Sequence, residues 1–281
     1  MQRHLWGLTS FQVALIGQGT WYLEQADRRT AIATLRRGLD LGMTHIDTAE
    51  MYGAGEAEKI VGEAITGRRD EVFLVSKVLP HNASRTGTQA ACERSLARLK
   101  TDRLDCYLLH WRGQHALAET VAAFEALSRA GKVRSWGVSN FDVDDLEELR
   151  RVDAGAKCAC NQVLYNLQER AIEHAVLPWC ESHGVAVTAY SPFGHGEFPS
   201  ARAPKGRPLA EIAAARGVTP RQVALAFLTR RPSLFAIPKA SSSAHAQENA
   251  GAGELRLSEA EIQSIDAAFP RGPRPRSLPV L

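Results

Sequence analysis

Short apolar runs alternate with segments of helical periodicity along nearly the whole chain. The first cycle runs from Val13–Gly17 into Asp27–Leu41, where Ile32, Leu35 and Leu39 recur on one face of a helix. Further apolar runs predict strands at Thr44–Thr48, Val72–Lys77, Leu104–His110, Val133–Ser139, Cys160–Val163, Val185–Tyr190 and Leu234–Pro238.

Each predicted strand is followed by at least one segment with helical spacing. After the first cycle these lie at Glu56–Thr66, Thr88–Leu99, Leu117–Arg129, Val143–Arg151, Ile172–His183, Leu209–Arg216, Pro220–Arg230, Ala244–Gly251 and Ser258–Phe269. Asp142 suits an N-cap, and Pro178 predicts a kink or a break in its helix. Strict alternation of strand and helix is typical of a parallel sheet, so the pattern predicts an α/β fold closed into a (β/α)8 TIM barrel.

The two ends of the chain fall outside this alternation. Residues 1–12 are expected to form a hairpin that plugs the bottom of the barrel. Residues 270–281, with prolines at 270, 273, 275 and 279, predict an extended basic tail. No linker divides the 281 residues, and barrels of about 250 residues commonly form one unit, so a single domain over residues 1–281 is expected.

Composition and charge narrow the classes of function. The 44% hydrophobic and 23% charged residues are ordinary for a globular protein, and a net charge of +3 predicts neither a nucleic-acid nor a membrane partner. No stretch approaches the roughly 20 apolar residues of a membrane span, and the first residues lead into no signal-peptide run. A monomer is expected.

The cysteines and glycines argue against disulfides, a zinc site and a Rossmann-type dinucleotide motif. The five cysteines are scattered and odd in number, which predicts reduced thiols in the cytoplasm. Cys158 and Cys160 lack the spacing of a zinc pair, so buried thiols are favoured and no metal is predicted. The G-x-G at 17–19 has Tyr22 where a dinucleotide motif needs its third glycine.

Active sites of such barrels lie at the carboxyl ends of the strands, so polar residues there are the candidates. They are Asp47, Tyr52, Lys77, His110, Trp111, Ser139, Asn140, Asn161, Gln162, Tyr190, Ser191 and Lys239. Although these residues are far apart in sequence, their side chains are expected to converge on one mouth.

Asp47, Tyr52, Lys77 and His110 share a chemistry. A phenol titrates at about 10, and a nearby ammonium favours the phenolate and lowers that pKa. A carboxylate beside the lysine keeps it charged, and a neutral histidine can polarise a carbonyl oxygen. Together the groups could protonate a carbonyl oxygen as hydride reaches its carbon. Singly, each residue also fits a structural ion pair or core packing, but four at one mouth favour catalysis.

The ordered motifs around these residues resemble those of the aldo-keto reductase superfamily. The matching segments are His45–Ala49 with Tyr52–Gly53, Val75–Lys77, Leu104–Asp105 with Leu108–Trp111, Gly131–Arg134 with Gly137–Phe141, Asn161–Val163, Ala189–Pro192, Ile237–Lys239 and Glu248–Asn249. The resemblance runs from about Gly17 to Phe269. It implies an NADPH-dependent enzyme that reduces small-molecule aldehydes and ketones to alcohols.

The resemblance also implies a role for each matching residue. Tyr52 would be the general acid, tuned by Lys77 and Asp47, and His110 would orient the carbonyl. Tyr190 would stack on the nicotinamide. The nicotinamide carboxamide would bind Ser139, Asn140 and Gln162, and the pyrophosphate would lie along Ser191, Pro192, Phe193 and Gly194. The adenosine 2′-phosphate end would be held by Lys239, Ser241, His245, Glu248 and Asn249. The remaining cofactor-binding residues would be Gly19, Thr20 and Asp47.

Several positions bear on specificity. His245 stands where many relatives carry arginine, and Ser241 is displaced from the usual phosphate-binding hydroxyl. Trp21 and Trp111 are expected to line the substrate pocket with Tyr52 and His110. The segments Gly19–Trp21, Ala49–Tyr52 and Leu109–Trp111 resemble bacterial members that reduce small aldehydes, including methylglyoxal. The short loop at His195–Arg207 favours small aldehydes over steroids as substrates.

Two alternatives belong to other classes of function. One is a non-catalytic, NADP-binding regulatory subunit: potassium-channel β subunits share this fold and bind NADP, but they carry asparagine where this chain has His110. A lyase could use Lys77 as a Schiff-base amine. That lysine would have to be neutral, which a paired Asp47 disfavours.

Overall fold

The structure is a computed structural model that describes residues 1–196 and 198–281. Ten strands occur within these residues: β1 (Arg3–Leu5), β2 (Gln12–Ala14), β3 (Gln18–Gly19), β4 (His45–Asp47), β5 (Phe73–Val78), β6 (Cys106–Leu109), β7 (Trp136–Ser139), β8 (Cys160–Leu164), β9 (Ala186–Tyr190) and β10 (Leu234–Ala236). Strands β3 to β10 form an eight-stranded parallel sheet in sequential order.

Contacts between the first and last strands close the sheet into a barrel. Ile16 forms a parallel bridge with Ala236, and Gly19 forms another with Lys239. The Gly17 amide donates to the Ala236 carbonyl at 2.8 Å. The predicted (β/α)8 barrel is confirmed.

Helices follow the barrel strands in the predicted order. They are α1 (Arg28–Asp40), α2 (Glu56–Ala64), α3 (Arg85–Leu99), α4 (Leu117–Arg129), α5 (Val143–Arg151), α6 (Val176–Ser182), α7 (Gly206–Arg216), α8 (Pro220–Leu228), α9 (Ser243–Gly251) and α10 (Glu259–Ala268). Asp142 caps α5 by accepting from the Asp145 amide at 2.9 Å, which confirms that N-cap. No helix in the described ranges is long and apolar enough to cross a membrane.

Residues 13–17 were expected to form the first barrel strand, and only the second half of this segment, from Leu15, joins the barrel. Val13 and Ala14 belong to β2, which pairs antiparallel with β1. The chain joins the barrel from Leu15 and Ile16, which pair with Ala236, and continues into β3. The buried side-chain amide of Gln18, the first residue of β3, donates to the carbonyls of Leu35 and Met43. Because these two carbonyls accept hydrogen bonds from Gln18, a polar side chain can occupy a buried strand position that the hydrophobic pattern assigned to an apolar residue.

The β1–β2 hairpin plugs the bottom of the barrel, as predicted. Trp6, in its connecting turn, is fully buried. Its ring centroid lies 5.2 Å from that of His45, 5.0 Å from that of Phe73 and 4.9 Å from that of Phe235. These residues stand in β4, β5 and β10, so the hairpin seals the barrel end opposite to the strand carboxyl ends.

The helix predicted at Ile172–His183 is divided, as Pro178 suggested. A 3-10 turn at Ala171–His174 precedes α6, and Ala175 between them has a φ of −146°. Pro178 is the third residue of α6, where its missing N–H leaves no intrahelical hydrogen bond unmade.

Candidate active site

A cavity of about 270 Å³ opens at the carboxyl ends of the barrel strands. Asp47 ends β4, Ser139 ends β7 and Tyr190 ends β9, while His110 directly follows β6. The predicted site residues that line it are Gly19, Thr20, Trp21, Asp47, Tyr52, His110, Trp111, Ser139, Asn140, Tyr190, Ser191, Pro192, Phe193, Gly194 and Lys239. The structure therefore brings most of the expected site together.

Lys77 lies behind this lining and holds two of its residues. Its Nζ donates to Asp47 Oδ1 at 2.5 Å, to the Thr48 carbonyl at 2.9 Å and to Tyr52 Oη at 3.1 Å. These bonds use all three N–H groups of the ammonium. Since the phenol oxygen accepts from Lys77, the Tyr52 O–H remains available to donate elsewhere.

The Lys77–Asp47 pair is buried. Burial raises the pKa of the Asp47 carboxyl, and the Lys77 charge and the hydrogen bonds from Lys77 and Gln162 oppose that shift. Burial alone would lower the pKa of Lys77, but the charge of Asp47 and the hydrogen bonds to Asp47 and Tyr52 raise it overall. Asp47 Oδ2 also accepts from Gln162 Nε2 at 2.7 Å. Lys77 and Asp47 are 0% and 1% exposed, so solvent screens neither charge.

The pKa of Tyr52 moves opposite to the expected direction. Burial raises the pKa of the phenol above its ordinary value of 10.0, and the Lys77 charge opposes that shift only in part. The expectation of a lowered pKa is therefore wrong, because desolvation of the phenolate outweighs its attraction to the ammonium. A phenol with a raised pKa is protonated at neutral pH, as a proton donor requires.

His110 is a neutral imidazole beside the phenol. Its ring centroid lies 5.8 Å from that of Tyr52, with the two planes at 75°. Burial, and to a lesser degree the Lys77 charge, lowers the pKa of His110 to about 2. An uncharged ring at the cavity wall can hydrogen-bond a carbonyl oxygen without carrying a proton to it.

The opposite wall of the cavity offers amide and hydroxyl groups. Tyr190 Oη donates to Asn140 Oδ1 at 2.9 Å, and Asn140 has a φ of 61°, in the left-handed region that asparagine tolerates. Ser139 Oγ donates to the Gln162 carbonyl at 2.9 Å. Gln162 itself is buried beside Asp47 and does not line the cavity.

The loop after β9 provides room for a phosphate group. Ser191 has a left-handed φ of 48°, and the Asn166 side-chain amide donates to its carbonyl at 3.3 Å. A Cβ added to Gly194, whose φ is 82°, would meet nothing within 4 Å. The backbone here therefore borders open space along the cavity.

Lys239 and α9 extend the site beyond the cavity. Lys239 Nζ donates to the Tyr22 carbonyl at 3.1 Å, and partial burial lowers its pKa. Ser241 Oγ and His245 Nδ1 lie 2.9 Å apart at the start of α9. Ser241, His245, Glu248 and Asn249 do not line the cavity, but they follow Lys239 within one loop and helix.

Sequence reasoning missed five lining residues: Tyr22, Met51, His195, Ile237 and Leu281. Tyr22 and Met51 adjoin residues that were identified, so proximity in the chain was an available signal. The Trp21 ring stacks on Tyr22 and His195, with centroids 4.6 and 5.8 Å apart. Nothing in the sequence pattern indicated that the tail would bring Leu281 to the mouth.

The residues present suit an extended phosphate-bearing dinucleotide. Amide groups stand beside the buried phenol, glycine-lined space lies in the middle, and a lysine with serine hydroxyls stands at the far end. A cation and hydroxyl donors are the groups that bind a phosphate in proteins. The fold and this mouth together define a barrel oxidoreductase.

Comparisons with known proteins give the family. The model of the Aldo/keto reductase family matches residues 15–269. The chain therefore belongs to the aldo/keto reductase family, and its expected class, an NADP-dependent oxidoreductase, is confirmed.

Relatives match along most of their length. Methylglyoxal reductase YeaE of Escherichia coli (strain K12) is 50% identical over 257 residues, which cover 91% of this chain and 90% of the relative. Glyoxal reductase of Bacillus subtilis (strain 168) is 33% identical over 255 residues, covering 89% and 87%. An aldo/keto reductase from Klebsiella pneumoniae, solved with NADP and acetate, is 44% identical, with a TM-score of 0.91 and full coverage of both chains.

Proposed function

We propose that this chain reduces small aldehydes and 2-oxoaldehydes, such as methylglyoxal, to alcohols with NADPH, and that Tyr52 donates the proton. The observation that carries the proposal is the contact of Tyr52 Oη with Lys77 Nζ at 3.1 Å, at the wall of the cavity. It places a protonated phenol beside a fixed positive charge.

The residues divide the work on the carbonyl group. NADPH, when bound, supplies hydride to the carbonyl carbon. Tyr52 gives its proton to the carbonyl oxygen, and the Lys77 ammonium stabilises the phenolate left behind. Asp47 keeps Lys77 charged and in place, while His110 holds the substrate oxygen through a neutral ring nitrogen.

The cofactor would lie along the groove from the phenol to α9. Ser139, Asn140 and Gln162 would bind the carboxamide, and Tyr190 would stack on the nicotinamide. Ser191, Pro192, Phe193 and Gly194 would follow the pyrophosphate, with Gly19 and Thr20 on the opposite side. Lys239, Ser241 and His245 would bind the 2′-phosphate, and Glu248 and Asn249 would reach the adenine.

The lining of the cavity supports a small substrate. Trp21 and Trp111 both line it, and Met51 and Leu281 add further apolar surface. Large rings at the entrance leave little room beside the reacting atoms. The names of two relatives, a methylglyoxal reductase and a glyoxal reductase, describe substrates of this size.

The remaining expectations are consistent with this role. All five cysteines are buried free thiols, which supports the cytoplasm as the compartment. We also propose a monomer that acts as a single domain over residues 1–281, with a small carbonyl compound as its partner.

The two alternatives fit the site less well. A Schiff-base lyase needs a neutral lysine, but Asp47 holds Lys77 charged and the raised pKa of Lys77 opposes deprotonation. A non-catalytic NADP-binding subunit would need no protonated phenol beside a neutral histidine, whereas Tyr52 and His110 both line the cavity.

A screen of NADPH oxidation tests the proposal, with methylglyoxal, larger aromatic aldehydes and a steroid ketone as substrates. We expect the highest kcat/KM for methylglyoxal and other small aldehydes. Trp111→Ala should raise kcat/KM for aromatic aldehydes relative to methylglyoxal by about tenfold, since a pocket discriminates by roughly 1–3 kcal/mol per methylene. A higher kcat/KM for the steroid ketone than for methylglyoxal would refute the substrate assignment.

A further inference from the structure

Glu50 is a buried carboxylate next to the site that has no part in the proposed chemistry. It is 7% exposed and does not line the cavity. It stands in the loop between β4 and the 3-10 turn Tyr52–Gly55, which carries the phenol. Burying a carboxylate is unfavourable unless hydrogen bonds replace its water, so the contacts of Glu50 indicate what the group holds.

Those contacts tie the Tyr52 loop to the end of the Lys77 strand. Glu50 Oε1 accepts from the Leu79 amide at 2.8 Å and from Asn82 Nδ2 at 2.9 Å. The Glu50 amide donates to the Lys77 carbonyl at 3.4 Å. Leu79 directly follows the last residue of β5, so Glu50 joins the loop to the strand at Lys77 itself and again two residues beyond it.

The same segment also contacts the loop that carries His110. A Cβ added to Gly113 would lie 2.5 Å from Pro80 Cβ, so the two loops pack in close contact. The His110 amide donates to the Val78 carbonyl at 3.0 Å. The turn at Pro80–Asn82 therefore stands between the loop of Tyr52 and the loop of His110, and Glu50 fixes one side of it.

We propose that Glu50 is a positioning residue that keeps Tyr52 at hydrogen-bonding distance from Lys77 and in register with His110. The inference rests on the proposed role of Tyr52 as the proton donor. What matters is the reach of the side chain to Leu79 and Asn82, not its charge. Among the residues that the structure describes, only Arg94, at 3.5 Å from Glu50 Oε2 and half-exposed, pairs with that charge.

Two substitutions separate reach from charge. Glu50→Asp keeps the charge but shortens the side chain by one methylene, so it loses the bonds to Leu79 and Asn82. Glu50→Gln keeps the reach and an Oε1 acceptor but loses the charge. A displacement of about 1 Å can cost roughly 10²-fold in rate, so Glu50→Asp is expected to lower kcat by about 10–100-fold and Glu50→Gln by less than about threefold.

Asp105 provides a matched control at the other end of the same strand. Its Oδ2 accepts from the Leu74 amide at 2.9 Å and from Arg69 at 2.8 Å, and it is 2% exposed. Leu74 lies near the start of β5, on the side away from the cavity. Asp105→Glu should lower the melting temperature as Glu50→Asp does, yet leave kcat unchanged.

The measurements are the melting temperature, the Kd of NADPH, kcat and KM for methylglyoxal, and the primary isotope effect with NADPH deuterated at the transferred position. For Glu50→Asp we expect an unchanged Kd, a lower kcat and a larger isotope effect, because the chemical step becomes slower. A wild-type kcat and isotope effect in Glu50→Asp would overturn the inference, as would equal losses in Glu50→Gln or in Asp105→Glu.

Two further variants keep the result interpretable. If Glu50→Asp does not fold, Asn82→Ala removes one of the two bonds to Oε1 and should lower kcat by about threefold to tenfold; an unchanged kcat overturns the inference. If Tyr52→Phe abolishes turnover while Glu50→Asp leaves it unchanged, only the positioning role is wrong. If Tyr52→Phe retains turnover, Tyr52 is not the proton donor, and the positioning role of Glu50, which rests on that assignment, is wrong as well.

Discussion

Tyr52 and His110 meet edge to face at the wall of the cavity, with ring centroids 5.8 Å apart and planes at 75°. Both rings are buried, but burial has opposite consequences for their protons. It raises the pKa of the phenol and lowers that of the imidazole, so Tyr52 is protonated and His110 uncharged at neutral pH. One residue can therefore give a proton to a substrate oxygen while the other only binds it.

The first prediction concerns the pH profile of turnover. Because burial lowers the pKa of His110 to about 2, the ring does not titrate between pH 5 and 8. We expect kcat for methylglyoxal to show no acid limb from His110 in this range. His110→Asn should lower kcat by about 10²-fold without changing the shape of the profile. An inflection near pH 6.5 that disappears in His110→Asn would contradict this assignment.

The second prediction concerns acid stability and His45, whose ring is fully buried beside Trp6, Phe73 and Phe235. Burial lowers the pKa of His45 from 6.5 to about 3. Below pH 6.5 the unfolded chain therefore binds a proton at His45 that the folded chain does not bind. The free energy of unfolding decreases as the pH is lowered from 6.5 to about 3. At pH 5 the contribution lost is about 2 kcal/mol.

His45→Leu removes the group that binds this proton when the chain unfolds. Urea unfolding at pH 7 and pH 5 should show a smaller loss of stability in His45→Leu than in the wild type. Identical losses in the two proteins would show that His45 takes up its proton in the folded state as readily as in the unfolded chain. His110 contributes in the same direction in both proteins, so the difference between them isolates His45.

The third prediction concerns cofactor selectivity. If Lys239 binds the 2′-phosphate, Lys239→Met should raise the Kd of NADPH by about 10–100-fold, since a charged hydrogen bond contributes roughly 1.5–3 kcal/mol. The Kd of NADH should stay the same. His245→Arg, which adds a permanent charge near Ser241, should tighten NADPH alone. Equal weakening of NADPH and NADH in Lys239→Met would place the phosphate elsewhere.

The sequence predicted what depends on local chemistry and on strand ends. Asp142 predicted the start of α5, because a side-chain acceptor at the N-cap bonds an amide in the first turn that has no partner within the helix. Asp47, Lys77 and His110 could be grouped because parallel strands in a barrel bring their carboxyl ends to one mouth. Neither inference required knowledge of distant contacts.

The failures depended on distant contacts. The apolar run at 13–17 was divided because Val13 pairs with His4, and Gln18 could enter the barrel because Leu35 and Met43 offer it carbonyl acceptors. The direction of the Tyr52 pKa shift depends on the balance between burial and the charges of Lys77 and Asp47, and this balance follows only from the three-dimensional structure.

Leu281 shows the same limit. It reaches the cavity because residues before it are held, and the Arg170 guanidinium donates to the Phe269 carbonyl at 2.6 Å. Arg170 also pairs with Asp266 and Glu173, both at 2.7 Å. An extended tail gives no periodic signal of where it will pack.

The central claim is that the Tyr52 phenol supplies the proton during carbonyl reduction. Tyr52→Phe removes only the hydroxyl, which accepts a single hydrogen bond from Lys77. The most direct measurement is single-turnover oxidation of NADPH by methylglyoxal in Tyr52→Phe, with the Kd of NADPH measured in parallel. The account predicts a rate lower by about 10²–10⁴-fold with an unchanged Kd. A rate within about threefold of the wild type, at full NADPH occupancy, would contradict it.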